Sequence, residues 1–267
     1  MVRYVDTSAP GIARRGRPPA FHYVDADGAR VRDEDTLGRI RKLAIPPAWT
    51  DVWICARADG HVYCAGDADE PFSIQSISKI FTLSLALERA GPALWNHVGR
   101  EPSGSPFNSI VQLEEEKGKP RNPLINAGAI VVSDQLMDDR DADATVAELC
   151  GFLRERAGDD SIDTDEAVAM SESQAGSLNR SLAHYVAAFG NLKNPVEEVL
   201  SVYFRQCSVA MSCRQLARAA LYLAFDGVDP VTGEAVVQPQ RARRINALML
   251  TCGHYDNSGE FAFRIGL

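Results

Sequence analysis

Three observations on this chain predict an α+β fold. The N-terminal part carries tight-turn signals, Asp27-Gly28 and Asp59-Gly60, each between short runs of strand-forming residues. From Ser76 to Cys252 the apolar residues recur with the helical period. Strand signals come first and helical ones after, without βαβ alternation, so the two kinds of element segregate.

At 267 residues the chain can bury a real core in one or two domains. A composition 45% hydrophobic and 24% charged excludes the disordered and fibrous classes. No apolar run approaches a membrane span, and residues 1–20 lack the apolar core of a signal peptide. The expectation is a cytoplasmic protein with no membrane partner. Cys55, Cys64, Cys150, Cys207, Cys213 and Cys252 form no Cys-x-x-Cys pair and read as reduced core thiols. The histidines are scattered without His-Glu-x-x-His, so no metal and no cofactor is expected. Residues 1–50 carry a net charge of +3 and the remainder −11. Arg14, Arg15 and Arg17 read as a solvated lead-in, and the acidic body argues against nucleic acid as a partner.

Taken in order, residues 1–20, with Pro10, Gly11, Gly16, Pro18 and Pro19, read as an irregular lead. Phe21–Val24 and Ala29–Arg32 form a hairpin about Asp27-Gly28. Thr36 caps a short helix through Leu37, Ile40 and Leu43, stopped by Pro46-Pro47. Val52–Ala56 and His61–Ala65 make a second hairpin about Asp59-Gly60. A helix opened by Ser76 buries Ile77, Ile80, Phe81 and Leu83 to Leu87 and ends at Gly91-Pro92. Thr145 to Glu148 is a capping box before Leu149, Phe152 and Leu153. Further helices are expected over Ser171–Phe189, Pro195–Cys207, Ser212–Phe225 and Pro239–Cys252, with Gly190, Gly227 and Gly253 at C-terminal positions.

Chemistry concentrates in Pro71-Phe72-Ser73-Ile74-Gln75-Ser76-Ile77-Ser78-Lys79. Ser76 and Lys79 stand three positions apart, on one helical face, with Cβ atoms about 5–6 Å apart. A serine hydroxyl attacks only once a base takes its proton, and a desolvated lysine can be that base. A helix N-terminus also favours the negative charge of an attacked carbonyl. The pattern suggests acyl transfer. Its plain alternative is a capping serine beside a solvated lysine.

Longer runs carry a resemblance. Gly66-Asp67-Ala68-Asp69-Glu70 leading into Pro71 to Lys79, then Glu101-Pro102-Ser103-Gly104-Ser105-Pro106-Phe107-Asn108-Ser109, Arg121-Asn122-Pro123, Ile125-Asn126-Ala127-Gly128-Ala129 and Ile245-Asn246-Ala247-Leu248-Met249 resemble the serine-dependent glutaminases in family order. The resemblance runs from about residue 60 to the end and implies a β-lactamase/transpeptidase-like fold. It implies Ser76 as nucleophile and Lys79 as general base. Asn126, Glu172, Asn179, Tyr203 and Tyr255 match positions that hold L-glutamine. The types suit that ligand: its ammonium needs a carboxylate, and its carboxylate needs donors. Tyr255 or Tyr203 would relay a proton to the departing ammonia. Taken singly, Asn126 could be a cap, Glu172 a first-turn acid, Tyr203 a packed aromatic and Tyr255 a loop residue. The implied reaction is hydrolysis of L-glutamine to L-glutamate and ammonia, by a homo-oligomer. Ser-x-x-Lys also occurs in β-lactamases and penicillin-binding proteins, against which the glutaminase-type runs argue.

Residues 1–55 are similar to another family. Arg3-Tyr4-Val5, Pro10-Gly11-Ile12, Phe21-His22-Tyr23-Val24-Asp25 and the run from Leu43 to Cys55 resemble the start of bacterial type IB DNA topoisomerases. The expected division is a topoisomerase-like segment at 1–55 and a glutaminase-like domain at 56–267. An alternative reading is a topoisomerase DNA-binding fragment fused to an inactive body. In the glutaminase family a Lys-Ser-Gly-Val-Gly-Gly strand, further strands and a final helix follow the point reached by Leu267, and a Tyr-Ile-Pro segment precedes the first strand. The resemblance therefore implies an incomplete sheet and impaired catalysis, since one oxyanion donor is worth about 3–4 kcal/mol.

Overall fold

The computed structural model describes residues 11–16, 20–42, 53–55 and 67–265. The chain divides into two compact units, residues 1–68 with 260–267, and residues 69–259.

In the first unit β1 (Gly11–Arg15), β2 (His22–Val24), helix α1 (Glu34–Lys42) and β3 (Trp53–Cys55) follow in order. The antiparallel sheet runs β2-β1-β3, with Ala13 opposite Val24 and Ile12 opposite Ile54. The lead expected to be irregular thus supplies the central strand. Its inward positions are Ile12 and Arg14, both buried, and an arginine there hides the apolar alternation that marks a strand. Arg14 also lays its guanidinium 4.2 Å from the centre of the Phe21 ring. The Asp27-Gly28 turn forms, with Asp25 Oδ1 accepting from the Asp27 and Ala29 amides. The pairing that follows it is short: a Val24–Arg30 bridge, with the Asp25 amide donating to Ala29 O and the Val31 amide donating to Tyr23 O, both at 2.9 Å. Asp33, rather than Thr36, caps α1: its carboxylate accepts from Thr36 N at 2.8 Å. The turn at residues 59–60, the strand expected at 61–65 and the Pro46-Pro47 stop lie outside the described residues.

In the second unit the elements are β4 (Phe72–Ser73), α2 (Ser78–Ala90), α3 (Leu94–His97), α4 (Val111–Glu115), α5 (Asn126–Met137), α6 (Ala142–Ala157), β5 (Asp163–Thr164), α7 (Glu166–Ala175), α8 (Ser177–Ala188), α9 (Val196–Cys207), β6 (Val209–Met211), α10 (Cys213–Ala219), α11 (Leu221–Ala224) and α12 (Pro239–Cys252). Helix α13 (Ser258–Ile265) comes last. The chain is α+β and mostly helical. A small antiparallel sheet, β4-β6-β5, joins Phe72 to Met211 and Asp163 to Ala210. Strands of two or three residues are too short to show a period, so sequence patterning misses this sheet.

Helix α5 is buried along its whole length, and α2, α8 and α9 pack around it. Small residues at its start allow this. A Cβ at Gly128 would lie 1.8 Å from the Asn122 carbonyl oxygen, so backbone touches backbone there. Near the other end of α5, fully buried Asp134 accepts from the amides of Lys193 and Asn194 and from the Asn194 side chain, at 2.9–3.1 Å. Those bonds seat the turn between α8 and α9.

Three helix starts differ from expectation. Asp141 caps α6, accepting from Ala144 N, so the helix begins ahead of the Thr145 box. Thr145 donates back to Asp141 O, and Glu148 pairs with Arg89 and Arg140. Asp165 caps α7, which starts before Ser171. The helix expected over 171–189 is broken at Gly176, where a Cβ would meet the Phe204 ring at 2.4 Å. Cys150, Cys207 and Cys252 are buried as free thiols, while Cys213, the first residue of α10, faces solvent rather than the core.

Candidate active site

Ser76 lies in a single tight turn, Gln75–Ile77, that runs directly into α2. Ile74 anchors the turn: it is buried, and its amide donates to Val209 O at 2.9 Å. Gln75 then adopts φ +47°, the left-handed region a side chain rarely occupies. Ser78 holds that conformation, its hydroxyl and its amide both donating to Gln75 O. The strained residue immediately before Ser76 leaves the serine exposed at the mouth of a helix.

Lys79, in the first turn of α2, is only 2% exposed. Its Nζ donates to Leu124 O at 2.8 Å and Asn126 Oδ1 at 2.9 Å, and neither bond goes to Ser76. Burial lowers its pKa from 10.5 to about 8. The Leu124 carbonyl is aimed by Asn122, whose Oδ1 accepts from the amides of Leu124 and Ile125. Tyr255, at φ +54° just after α12, packs against Phe107 with ring centres 5.1 Å apart and planes tilted by 44°. Lys79 Nζ lies 5.5 Å from the Tyr255 ring centre. Burial raises the Tyr255 hydroxyl pKa, and a hydrogen bond from the Ser76 side chain opposes that rise.

The remaining expected residues join the same cluster. Asn126 opens α5 but caps nothing; its Nδ2 donates to Asn179 Oδ1 at 3.0 Å. Glu172 on α7 accepts from Gln75 Nε2 at 3.3 Å. Tyr203 on α9 is 3% exposed, and burial pushes its hydroxyl well above the ordinary range, with Cys207, Tyr255 and Glu172 close by. Cys207 is pushed up to about 11, chiefly by burial, with Lys79 pulling the other way. Sequence reasoning missed Gln75, Asn122 and Cys207. The Asn122-Pro123 step was the one local sign of a turn built to present a carbonyl. Ser76, Lys79 and Tyr255 border one cavity of about 290 Å³, whose other walls include Ile80, Leu124 and Met249.

A serine at the entrance to a helix, a desolvated amine on that helix and a cluster of amides, tyrosines and one carboxylate thus lie together, the groups that the serine–lysine acyl-transfer class uses. Comparison with known proteins gives the family. The glutaminase family model matches residues 40–267. A glutaminase from Rhodopseudomonas palustris (strain TIE-1) is 62% identical over 210 residues, covering 79% of this chain and 68% of the relative. The crystal structure of a Bacillus subtilis probable glutaminase matches with a TM-score of 0.71 and 38% identity, over 74% of this chain and 64% of that one. The Bacillus subtilis probable glutaminase complexed with 6-diazo-5-oxo-L-norleucine matches at 0.68 and 34%, over 77% and 62%. This chain belongs to the glutaminase family. Its structural neighbours have the β-lactamase-like fold, and it spans about two thirds of the length of these relatives. Among the described residues no helix is long and apolar enough to cross a membrane.

Proposed function

We propose that this chain hydrolyses the side-chain amide of L-glutamine to L-glutamate and ammonia through an acyl-enzyme on Ser76. One observation carries the mechanism. A neutral lysine amine has two N–H groups and one lone pair. Two acceptors, Leu124 O and Asn126 Oδ1, occupy its donors. The lone pair is then left for the cavity that Ser76 also borders. A pKa of about 8 gives Lys79 a useful neutral fraction near neutral pH. In this reading Lys79 takes the Ser76 proton as Oγ bonds to the amide carbon. Tyr255 stays protonated, because its pKa is raised, and hands a proton to the leaving ammonia. Water then opens the ester.

The ligand side of the reading rests on residue types and the relatives. Glu172 meets the α-ammonium; Asn126, Asn179 and the Tyr203 hydroxyl meet the α-carboxylate. A relative complexed with 6-diazo-5-oxo-L-norleucine, an amino acid of glutamine-like length, is consistent with that ligand class. A cytoplasmic homo-oligomer belongs to the same reading, on the strength of the family resemblance. The test is ammonia release from L-glutamine. Ser76→Ala, at an exposed position, should fold normally and lose turnover; a folded variant with wild-type activity overturns the serine mechanism.

A further inference from the structure

The three helices that carry Lys79, Asn126 and Tyr203 meet at one side chain. Gln206 on α9 is fully buried. Its Oε1 accepts from the Thr82 hydroxyl of α2 at 2.8 Å and from the Ser133 hydroxyl of α5 at 3.3 Å. Thr82 stands three positions after Lys79, Ser133 seven after Asn126 and Gln206 three after Tyr203. Each contact therefore lies one or two helical turns from a group of the site. Resting on the hydrolase reading above, we propose that Gln206 is a positioning residue for the reaction: its carboxamide ties α2, α5 and α9 together and so holds Lys79 against Asn126 in the geometry of a base.

Stability does not account for a glutamine at this place. Gln206 Nε2 is buried with no hydrogen-bond partner among the described residues. A buried donor left unpaired costs free energy that an apolar side chain of similar length avoids. The two hydroxyls do not need the carboxamide either. Thr82 Oγ1 also lies 3.3 Å from Ser78 O, and Ser133 Oγ 3.0 Å from Ala129 O, so each can donate within its own helix. A hydroxyl has one proton. Given to Gln206 it links two helices; given to the nearby carbonyl it links nothing beyond its own.

What the link holds is the lysine. Lys79 Nζ reaches from α2 to Leu124 O at 2.8 Å and to Asn126 Oδ1 at 2.9 Å, and the bond to Asn126 is lost if α2 slides along α5. Cys207, beside Gln206 on α9, and the Tyr255 ring also face the amine. Burial raises the pKa of both groups, so of these three Lys79 alone titrates near neutral pH.

Gln206→Met, Thr82→Val and Thr82→Ser test the tie against the wild type. Three readouts serve: thermal melting, ammonia release from L-glutamine, and NMR titration of the Lys79 ε-carbon. Gln206→Met removes the unpaired donor and strands no new group, so its Tm should equal or exceed that of the wild type. Its kcat should fall about tenfold or more, since a reacting group misplaced by about an ångström can cost about a hundredfold. Lys79, now reached by water, should titrate near about 9 rather than about 8. Thr82→Val should share the last two effects, and Thr82→Ser, which keeps the hydroxyl, should return both to wild-type values. Gln206→Met with unchanged kcat, or one that melts lower while Lys79 titrates as before, overturns the positioning role. Equal losses in Thr82→Ser and Thr82→Val overturn it too. A wild type that releases no ammonia overturns the hydrolase reading instead, and the Lys79 titration then decides the tie by itself.

Discussion

Lys79 offers the sharpest test. A fall from 10.5 to about 8 in the folded protein corresponds to about 3 kcal/mol of disfavoured charge. The group is buried and its hydrogen bonds go to neutral acceptors, so no carboxylate offsets the cost. Two consequences follow with definite sign. At about pH 7 roughly a tenth of the molecules hold a neutral Lys79, so kcat/KM should rise about tenfold per pH unit and level off above about pH 8. Above about pH 8 the unfolded chain still binds the proton that the folded chain has released, until the unfolded pKa of 10.5 is passed. Stability therefore rises with pH through that window, and below it the folded protein bears the full cost. Lys79→Met removes the titration. Urea denaturation across the window should show the wild type gaining about 3 kcal/mol relative to that variant. Lys79→Arg keeps a permanent charge and should abolish ammonia release. A flat kcat/KM below about pH 8, or a constant stability difference between wild type and Lys79→Met, refutes the desolvated-base argument.

The other predictions concern how the site is held. Glu172→Gln should raise KM for L-glutamine by about tenfold or more while leaving the fold intact, since a charged hydrogen bond to the ammonium is worth about 1.5–3 kcal/mol; steady-state kinetics beside a thermal melt reads both. Gly128→Ala puts a methyl against the Asn122 carbonyl and should cost about 1–3 kcal/mol. It should also displace Asn126 from Lys79, so a wild-type Tm with wild-type kcat contradicts the backbone-contact argument. Asp134→Ala leaves the amides of Lys193 and Asn194 without an acceptor and should destabilise by about 3 kcal/mol or more in urea; faster hydrogen exchange at those two amides is the local readout.

The elements legible in the sequence were those set by short-range rules. Helices α2, α9 and α12 carry regular apolar faces between a clear start and a Gly or polar stop, and each forms close to its expected bounds. The elements that failed depend on distant partners. Strand β1 exists because β2 and β3 flank it. At the Gly176 break the Phe204 ring, which arrives from another helix, fills the space a side chain would need. Asp141 and Asp165 went unread as caps because Thr145 and Ser171 offered competing starts nearby.

For the site, the sequence alone determined which groups are available and that Ser76 and Lys79 come within one helical turn of each other. The resemblance also named Asn126, Glu172, Asn179, Tyr203 and Tyr255, and the structure gathers them from five separate elements. Only the tertiary structure decided the state of the lysine. Its low pKa comes from the loss of water once α5 and the Leu124 segment close over it, and both of its acceptors lie more than forty positions away. Spacing along a chain specifies which side chains can meet; how far each is removed from solvent depends on everything packed around it.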